Sequence, residues 1–365
     1  MSVQQKQQVS GAGSGAAIDL TGFKQSAAWL VKFAKRPVVP VLGTVNVAVS
    51  DGGVLLRATD YDIWREVKLG EPDPDGAQQI QVNARELAAL TKGMTGPGSV
   101  AIVDNALEVS TSALTVRLDA AADVSDWPLW PVFEAEAEAV VTVDSVKRVL
   151  TAVGTSSSLP MLESVWFSDG HMSSTDRFRA VREALPGDRS LTGMVSRHAL
   201  KLFAVGRVDV VVQIGKPYAK LSRDGHVVLT KLAADTFPAT NRIIDAALDD
   251  NRAIVEFDRR ELLSVCRGWS VVIEGEGDDA LTVRSLGAGD AVVALSRITA
   301  QLGSSLPLVR FNTDYLVQAL KSCPKDRVEL RAAHEGGSQA KTVRPVLLRW
   351  DSNTEYLLMP VRHPA

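Results

Sequence analysis

The chain has little of what most catalysis needs. It carries 2 cysteines in 365 residues. Cys266 and Cys323 fall in different predicted helices, with no CxxC pair and no metal-ligand spacing. That excludes a disulfide framework and a zinc finger, and each reads as a buried, reduced thiol. The histidines, His171, His198, His226, His334 and His363, are never spaced as ligands. No GxxxxGK[ST] loop is present to cradle ATP, and the Gly11–Gly15 cluster does not follow a strand. A GxSxG elbow is absent. The paired acids Asp73/Asp75 and Asp278/Asp279 lie in turns, where they read as solvated loop acids. The expectation is a non-catalytic protein without cofactor or metal. No run is long and apolar enough to span a bilayer. The first 19 residues lack a signal peptide's apolar core and read as a flexible tail, so a cytoplasmic protein is expected. Neither charge dominates: 40 Lys and Arg face 43 Asp and Glu, a net charge of −3. Overall charge therefore does not announce a nucleic-acid partner.

What the chain does have is repetition. Hydrophobic residues make up 45% of 365 residues, enough for two or three cored domains. Val146, Val149, Leu150 and Val153 fall at helical spacing, with Asp144 or Ser145 as N-cap. Leu159-Pro160 then breaks the chain, and two strands flank the turn Ser168-Asp169-Gly170. The same grammar occurs earlier. Phe23 to Ala34 is helical, Val39-Pro40-Val41-Leu42 echoes Leu159-Pro160-Met161-Leu162, and Thr59-Asp60 echoes Thr175-Asp176. A third, more worn copy runs from the helix at Asp258 through the strand Leu281 to Ser285. The copies start roughly 115 to 120 residues apart, too far for a solenoid, so each reads as a domain.

Each copy has a second half. Val82-Asn83-Ala84-Arg85, Val195-Ser196-Arg197-His198 and Phe311-Asn312-Thr313-Asp314 each place a strand end, a capping Asn or Ser and a short helix in line. Two helices per copy cannot cover both faces of a many-stranded sheet, which favours an α+β architecture with helices on one face. The expected division is a tail over 1–18 and domains over 19–133, 134–248 and 249–365. The acidic stretch Glu134 to Ala139 and the segment Asp245 to Asn251 mark the boundaries.

Charge is unevenly placed. The six predicted helices are Phe23–Arg36, Ala84–Met94, Asp144–Val153, Ser196–Val205, Asp258–Gly268 and Thr313–Ser322. They hold about 14 Lys and Arg against about 5 Asp and Glu, a surplus of roughly +9, which leaves about −12 for the rest. Helix surfaces are often basic. The sharper reading is that the helices face a polyanion, through salt-sensitive, sequence-independent phosphate contacts. No base-reading motif accompanies them.

These features together resemble a known family. Three repeats, Arg36-Pro37-Val38-Val39-Pro40-Val41-Leu42, Thr175-Asp176-Arg177-Phe178-Arg179, Phe237-Pro238 and Tyr356-Leu357-Leu358-Met359-Pro360-Val361-Arg362 are similar to the bacterial sliding clamp, the beta subunit of DNA polymerase III, over roughly Asp19 to Arg362. The resemblance implies the DNA clamp fold. Each of three domains has two helices on antiparallel sheets, and a head-to-tail homodimer forms a ring around double-stranded DNA. Such a ring is a processivity factor. It tethers polymerase to template, and polymerase and clamp loader reach it through clamp-binding peptides. A divergent form is the alternative: a second copy, a phage or plasmid clamp, or one that confers antibiotic self-resistance through an altered groove.

Carried over by position, the resemblance implies a peptide groove walled by Leu162, Thr175, Arg177, Phe178, Arg179, Ala180, Pro238, Arg242, Ile243, Val343, Pro345, Leu357, Leu358, Met359, Pro360, Val361 and Arg362. Its usual Thr-Asp-Gly-His-Arg-Leu-Ala reads here Thr175-Asp176-Arg177-Phe178-Arg179-Ala180-Val181. The implied DNA-binding set is Lys24, Lys32, Lys35, Arg36, Lys147, Arg148, Arg197 and Lys201. The implied ring contact sets Leu114 and Val116 of one copy against Val271 and Val272 of the other.

Overall fold

The computed structural model describes residues 15–32, 39–155, 159–187, 190–249, 252–276, 279–303, 306–333 and 344–361. The chain divides into two compact units, residues 1–133 with 220–230, and residues 134–219 with 231–365.

The first unit opens with strand β1 (Gly15–Asp19) and helix α1 (Leu20–Leu30). Strands β2 (Thr44–Ser50), β3 (Gly53–Thr59), β4 (Ile63–Gly70) and β5 (Gln78–Asn83) follow. Helix α2 (Ala84–Leu90) leads to β6 (Pro97–Val103), β7 (Ala106–Ser110) and β8 (Thr115–Asp119). One antiparallel sheet has the order β1-β6-β7-β8 and a second runs β5-β2-β3-β4. Gly15 to Asp19 is thus no tail. It pairs in register with Pro97 to Ala101, and Ala16 is buried. Small residues hid this strand, because Gly and Ala carry no β-pattern of their own.

Helix α1 forms where Asp19 accepts the amide hydrogen of Thr21 at 2.9 Å. Leu20, Phe23, Ala27 and Leu30 recur on one face and are buried with Leu87 of α2 against Val45, Val47, Leu56 and Val109. Each large member of that stripe contributes about 1.5–3 kcal/mol of burial. Arg65 of β4 is buried beneath the helix. Its Nη1 donates to the Trp29 carbonyl at 2.7 Å, and its guanidinium lies 4.9 Å from the Trp29 ring. Burial pushes that guanidinium down to about 9. At the turn before β3, a Cβ on Gly52 would stand 2.2 Å from the Glu71 carbonyl oxygen, so only glycine fits.

The second unit opens with β9 (Ala137–Val141) and α3 (Val143–Thr151). Thr142, not Asp144 or Ser145, caps α3 by accepting from the Ser145 amide at 3.0 Å. Strands β10 (Ser164–Ser168), β11 (His171–Thr175), β12 (Arg179–Ala184) and β13 (Gly193–Ser196) precede helix α4 (Arg197–Lys201). After β14 (Val210–Gly215), β15 (Tyr218–Arg223) and β16 (His226–Lys231) comes a helix where the sequence reading set a boundary, α5 (Thr240–Asp249). Residues 220–230 of β15 and β16 belong to the first unit, where β16 pairs with β4.

Strand β17 (Arg252–Asp258) and α6 (Arg259–Val265) begin the last repeat. It continues through β18 (Ser270–Glu276), β19 (Ala280–Leu286), β20 (Val292–Leu302), β21 (Val309–Asn312), α7 (Thr313–Ser322), β22 (Arg327–Ala333), β23 (Val346–Arg349) and β24 (Thr354–Leu358). A twelve-stranded antiparallel sheet, β13-β10-β11-β12-β24-β23-β22-β17-β20-β19-β18-β21, runs through both repeats of this unit. The terminal strand β24 lies between β12 and β23 and joins them.

Candidate functional site

The turn after β11 is built by its own side chains. Thr175 Oγ1 accepts the Arg177 amide at 3.1 Å and donates to the Arg179 carbonyl at 2.7 Å. Asp176 Oδ1 accepts the Phe178 and Arg179 amides, each at 3.0 Å. Its Oδ2 takes Arg179 Nε at 2.9 Å. These bonds hold Arg177 at φ 78°, a left-handed conformation that costs an L-residue roughly 1–2 kcal/mol. Phe178 emerges 58% exposed. Its ring stacks on Tyr315 of α7, centroids 6.1 Å apart, and the buried Arg179 lies 4.5 Å from the other aromatic partner's centroid, that of Tyr315. The Met359 amide donates to the Phe178 carbonyl at 2.8 Å, which lays the chain after β24 beside the turn.

Helix α5 sits on the same sheet. Ile244 and Ala247 are buried with Ala180, Leu347 and Leu357. Arg182 of β12 is forked between Asp245 of α5 and Glu355 of β24. Arg242 and Ile243, on the helix's outward turn, are exposed, and Pro238 before it is half-buried. Leu162, Thr175, Ala180, Leu357 and Leu358 are buried, while Met359, Pro360 and Pro345 are half-buried and Val361 is exposed. The structure thus gathers the turn, α5 and the terminal segment on one sheet. Val343 and Arg362 lie outside the described residues. Tyr315 was absent from the expected set. Its only sequence signal is its place in the first turn of α7, which does not say what it faces.

The expected basic residues fall into different roles. Lys147, Arg197 and Lys201 line one cleft of about 280 Å³ with Leu150, Val153 and Ala204, between α3 and α4. Lys147 and Lys201 are exposed, and Arg197 Nη1 donates to the Gly154 carbonyl at 2.6 Å. A second cleft of about 420 Å³ between α3 and α7 adds Lys321, which sequence reading did not single out. Arg148 is different. Its side chain is 13% exposed and bonds the buried Glu183 through Nε at 3.0 Å and through Nη2. Burial opposes its charge, and the Glu183 bond and charge outweigh that and raise its pKa. In the first unit, Lys24 is half-buried on α1 and Lys32 is exposed just past it. Lys35 and Arg36 lie outside the described residues.

The ring-contact expectation needs correcting on one side. Val271 and Val272 sit on β18 between β19 and β21, and both are buried in their own unit. A Val-Val run reads alike in a core and at an interface, so the sequence did not distinguish them. The exposed apolar side chains there are Trp269, 75% exposed, and Val292, Val293 and Leu295 of β20. Strand β20 pairs with β17 only from Ala300 to Leu302, so Val292 to Thr299 offers one strand edge without a partner among the described residues. In the first unit β8 is likewise an edge strand, with Leu114 exposed beside it and Val116 half-buried on it.

No family model matches the chain. Curated beta sliding clamps from Staphylococcus aureus are 21% identical over 366 residues, spanning 91% of this chain and 95% of theirs. The solved DNA polymerase sliding clamp of Bacillus subtilis matches with TM-score 0.80 at 18% identity, covering 97% of this chain and 100% of that one. A polymerase III beta subunit from Thermotoga maritima matches with TM-score 0.79 at 17% identity, and a Pseudomonas aeruginosa sliding clamp bound to griselimycin with TM-score 0.80 at 17%. Each covers 96% of this chain and 100% of its own. The chain therefore has the DNA clamp fold, mixed helix and antiparallel sheet. Its resemblance to the bacterial beta sliding clamp, read first from short motifs, holds along its length in both sequence and fold. These likenesses do not favour the alternative of a divergent second-copy, phage or resistance clamp.

Proposed function

We propose that this protein is a DNA polymerase sliding clamp, a processivity factor that encircles duplex DNA and tethers the replicative polymerase. The observation that carries the reading is full-length agreement in fold with solved clamps, 97% of this chain against 100% of the Bacillus subtilis protein. The cations of α3 and α4 support it. Lys147, Arg197 and Lys201 present positive charge around one cleft, as contacts to phosphates of any sequence require. A closed ring also accounts for a net charge of −3, since a topological link does not need tight binding.

The ring is a head-to-tail homodimer. The free edge of β20, with Trp269, Val292, Val293 and Leu295 around it, adds to the free β8 edge of the other copy, beside Leu114 and Val116. Unpaired edges with apolar flanks are a liability unless covered, and strand addition satisfies both at once. Polymerase and clamp loader dock by peptides on the Phe178–Tyr315 platform, between the Thr175–Arg179 turn, α5 and the segment after β24. That two similar clamps bind griselimycin supports such a docking site. The protein does no chemistry of its own and works in the cytoplasm with the DNA.

The test is retention on DNA. The purified protein, loaded by a clamp loader with ATP, should stay on nicked circular DNA through gel filtration and leave when that DNA is cut once. Equal retention on linear and circular DNA, or a monomer at micromolar concentration, would overturn the reading.

A further inference from the structure

One stretch of the first unit takes no part in the docking site or the basic clefts. From Trp127 to Phe133 the chain reads Trp-Pro-Leu, then Trp-Pro-Val, then Phe, a pattern that recurs every third residue. It belongs to no helix or strand, and among the described residues the amides of Leu129, Trp130, Val132 and Phe133 find no acceptor. Burial keeps the same period. Trp127, Trp130 and Phe133 are half-buried, while Leu129 is 91% and Val132 87% exposed. A period of three, a solvated backbone and proline at every third place describe a polyproline II strap. The strap is also held down. Just before it, the Asp123 carbonyl accepts from the buried Gln81 of β5 at 2.5 Å. Within it, the Arg57 guanidinium of β3 lies 5.0 Å from the Trp130 ring, and Glu66 of β4 fixes that arginine at 2.9 Å.

Single exposed aliphatics are ordinary. Leu129 and Val132 differ because they share one side of a backbone that is already extended and anchored, so covering them costs little further ordering. Pro128 and Pro131 lack an N–H and stand three apart, which blocks both edges of the strap to strand addition. Their Pro-x-x-Pro spacing suits the other way of reading an extended segment, an apolar, aromatic-lined groove. Charge defines the rim of that groove. From Leu118 to Val146 the chain has seven acids and no Lys, Arg or His. Asp123 and Asp126, at the head of the strap, are exposed. Such a segment repels DNA and anionic lipid and draws a cationic protein. We propose that Trp127–Phe133 is a preformed ligand for a partner protein, separate from the peptide-docking site. The partner's groove takes Leu129 and Val132 in neighbouring apolar pockets about 9 Å apart, the rise of three polyproline II residues. Lys or Arg at its rim meets Asp123 and Asp126.

The test places the photo-crosslinker p-benzoylphenylalanine at position 129 of the full chain, in the cells that make it. Position 61, exposed on the turn before β4, is the control. A protein caught at 129 and not at 61 is then purified and titrated by anisotropy against the fluorescein-labelled chain. Leu129→Asp and Val132→Asp should each weaken that binding about tenfold or more, since each removes one buried aliphatic side chain. Both residues are exposed in the free chain, so neither change should move the melt. Raising salt from about 50 mM to about 0.5 M should weaken binding about tenfold as the acids are screened. The absence of an adduct specific to position 129 overturns the proposal. So does an adduct only with a second copy of this chain. Binding of the captured protein that survives Leu129→Asp, or that ignores salt, overturns it as well.

Discussion

Removing Glu183 should unfasten the second unit. Its carboxylate, with the side chain 4% exposed, accepts from Ser145 Oγ at 2.8 Å, Arg148 Nε at 3.0 Å and Thr354 Oγ1 at 2.9 Å. It thereby joins α3, β12 and β24. Glu183→Leu would leave the Arg148 guanidinium in a mostly buried site and two hydroxyls without their acceptor. Breaking one side of a buried pair costs about 3–5 kcal/mol. For a unit of this size that lowers the melting temperature by roughly 6–20 °C. Pairing it with Arg148→Met replaces both charges by apolar groups, so the double variant should regain the cost of the stranded guanidinium and stay below the parent only by the two hydroxyls that still lack their acceptor. Thermal melts of the parent, both single variants and the double variant form the cycle. The reasoning fails if Glu183→Leu shifts the melt by less than about 2 °C. It also fails if the double variant is as unstable as Glu183→Leu. Loss of DNA retention in Arg148→Met without loss of stability would return Arg148 to the DNA surface.

Other expectations are simpler. Changing Lys147, Arg197 and Lys201 together to Ala should weaken salt-dependent association with duplex DNA. The log–log slope should flatten by about 2–3 if each meets one phosphate, and an unaltered slope would place DNA elsewhere. Trp269→Glu should shift sedimentation from dimer toward monomer without changing the melt by more than about 2 °C, because that side chain is exposed. An unshifted dimer would remove the β20 edge from the ring contact. Burial pushes the Cys266 thiol up to about 12 from 9.0. The folded state therefore holds its proton more tightly than the unfolded chain. The stability this gives is full below pH 9 and is lost as pH climbs from 9 to about 12. Cys266→Val should show a shallower alkaline decline in urea midpoint, and parallel declines would refute the assignment.

What was legible in the sequence was chemistry that acts over a few residues. Thr59-Asp60 and Thr175-Asp176 echo each other in sequence, and they fold alike. Thr59 Oγ1 accepts the Tyr61 amide at 3.0 Å, Asp60 Oδ1 accepts the Ile63 amide at 2.8 Å, and Tyr61 sits at φ 74° as Arg177 sits at 78°. Val39-Pro40 and Leu159-Pro160 likewise open matching short 3-10 turns, Pro40–Gly43 and Pro160–Glu163. The caps at Asn83, Ser196 and Asn312 were readable because a short polar side chain closes on amides two or three residues away. What was not legible depended on distant partners. The fate of Arg148 is set by Glu183, 35 residues on. The burial of Val271 is set by flanking strands, and the stack on Phe178 comes from Tyr315 in another repeat. The expected helix Thr313–Ser322 matches α7 end to end, while those from Ala84, Ser196 and Asp258 run past α2, α4 and α6 because propensity continues beyond the point where packing stops. Helix α5 was missed because its charged, solvent-facing residues looked like a linker.

Strand β24 carries a consequence for how this protein is made. It occupies the slot between β12 and β23, yet it is made long after β12. Until it clears the ribosome, β12 waits with a raw hydrogen-bonding edge, and the second unit is kept from completion. That unit therefore closes in a late zipping step. A message cut short before β24 would yield an unfinished, sticky product rather than a smaller working one.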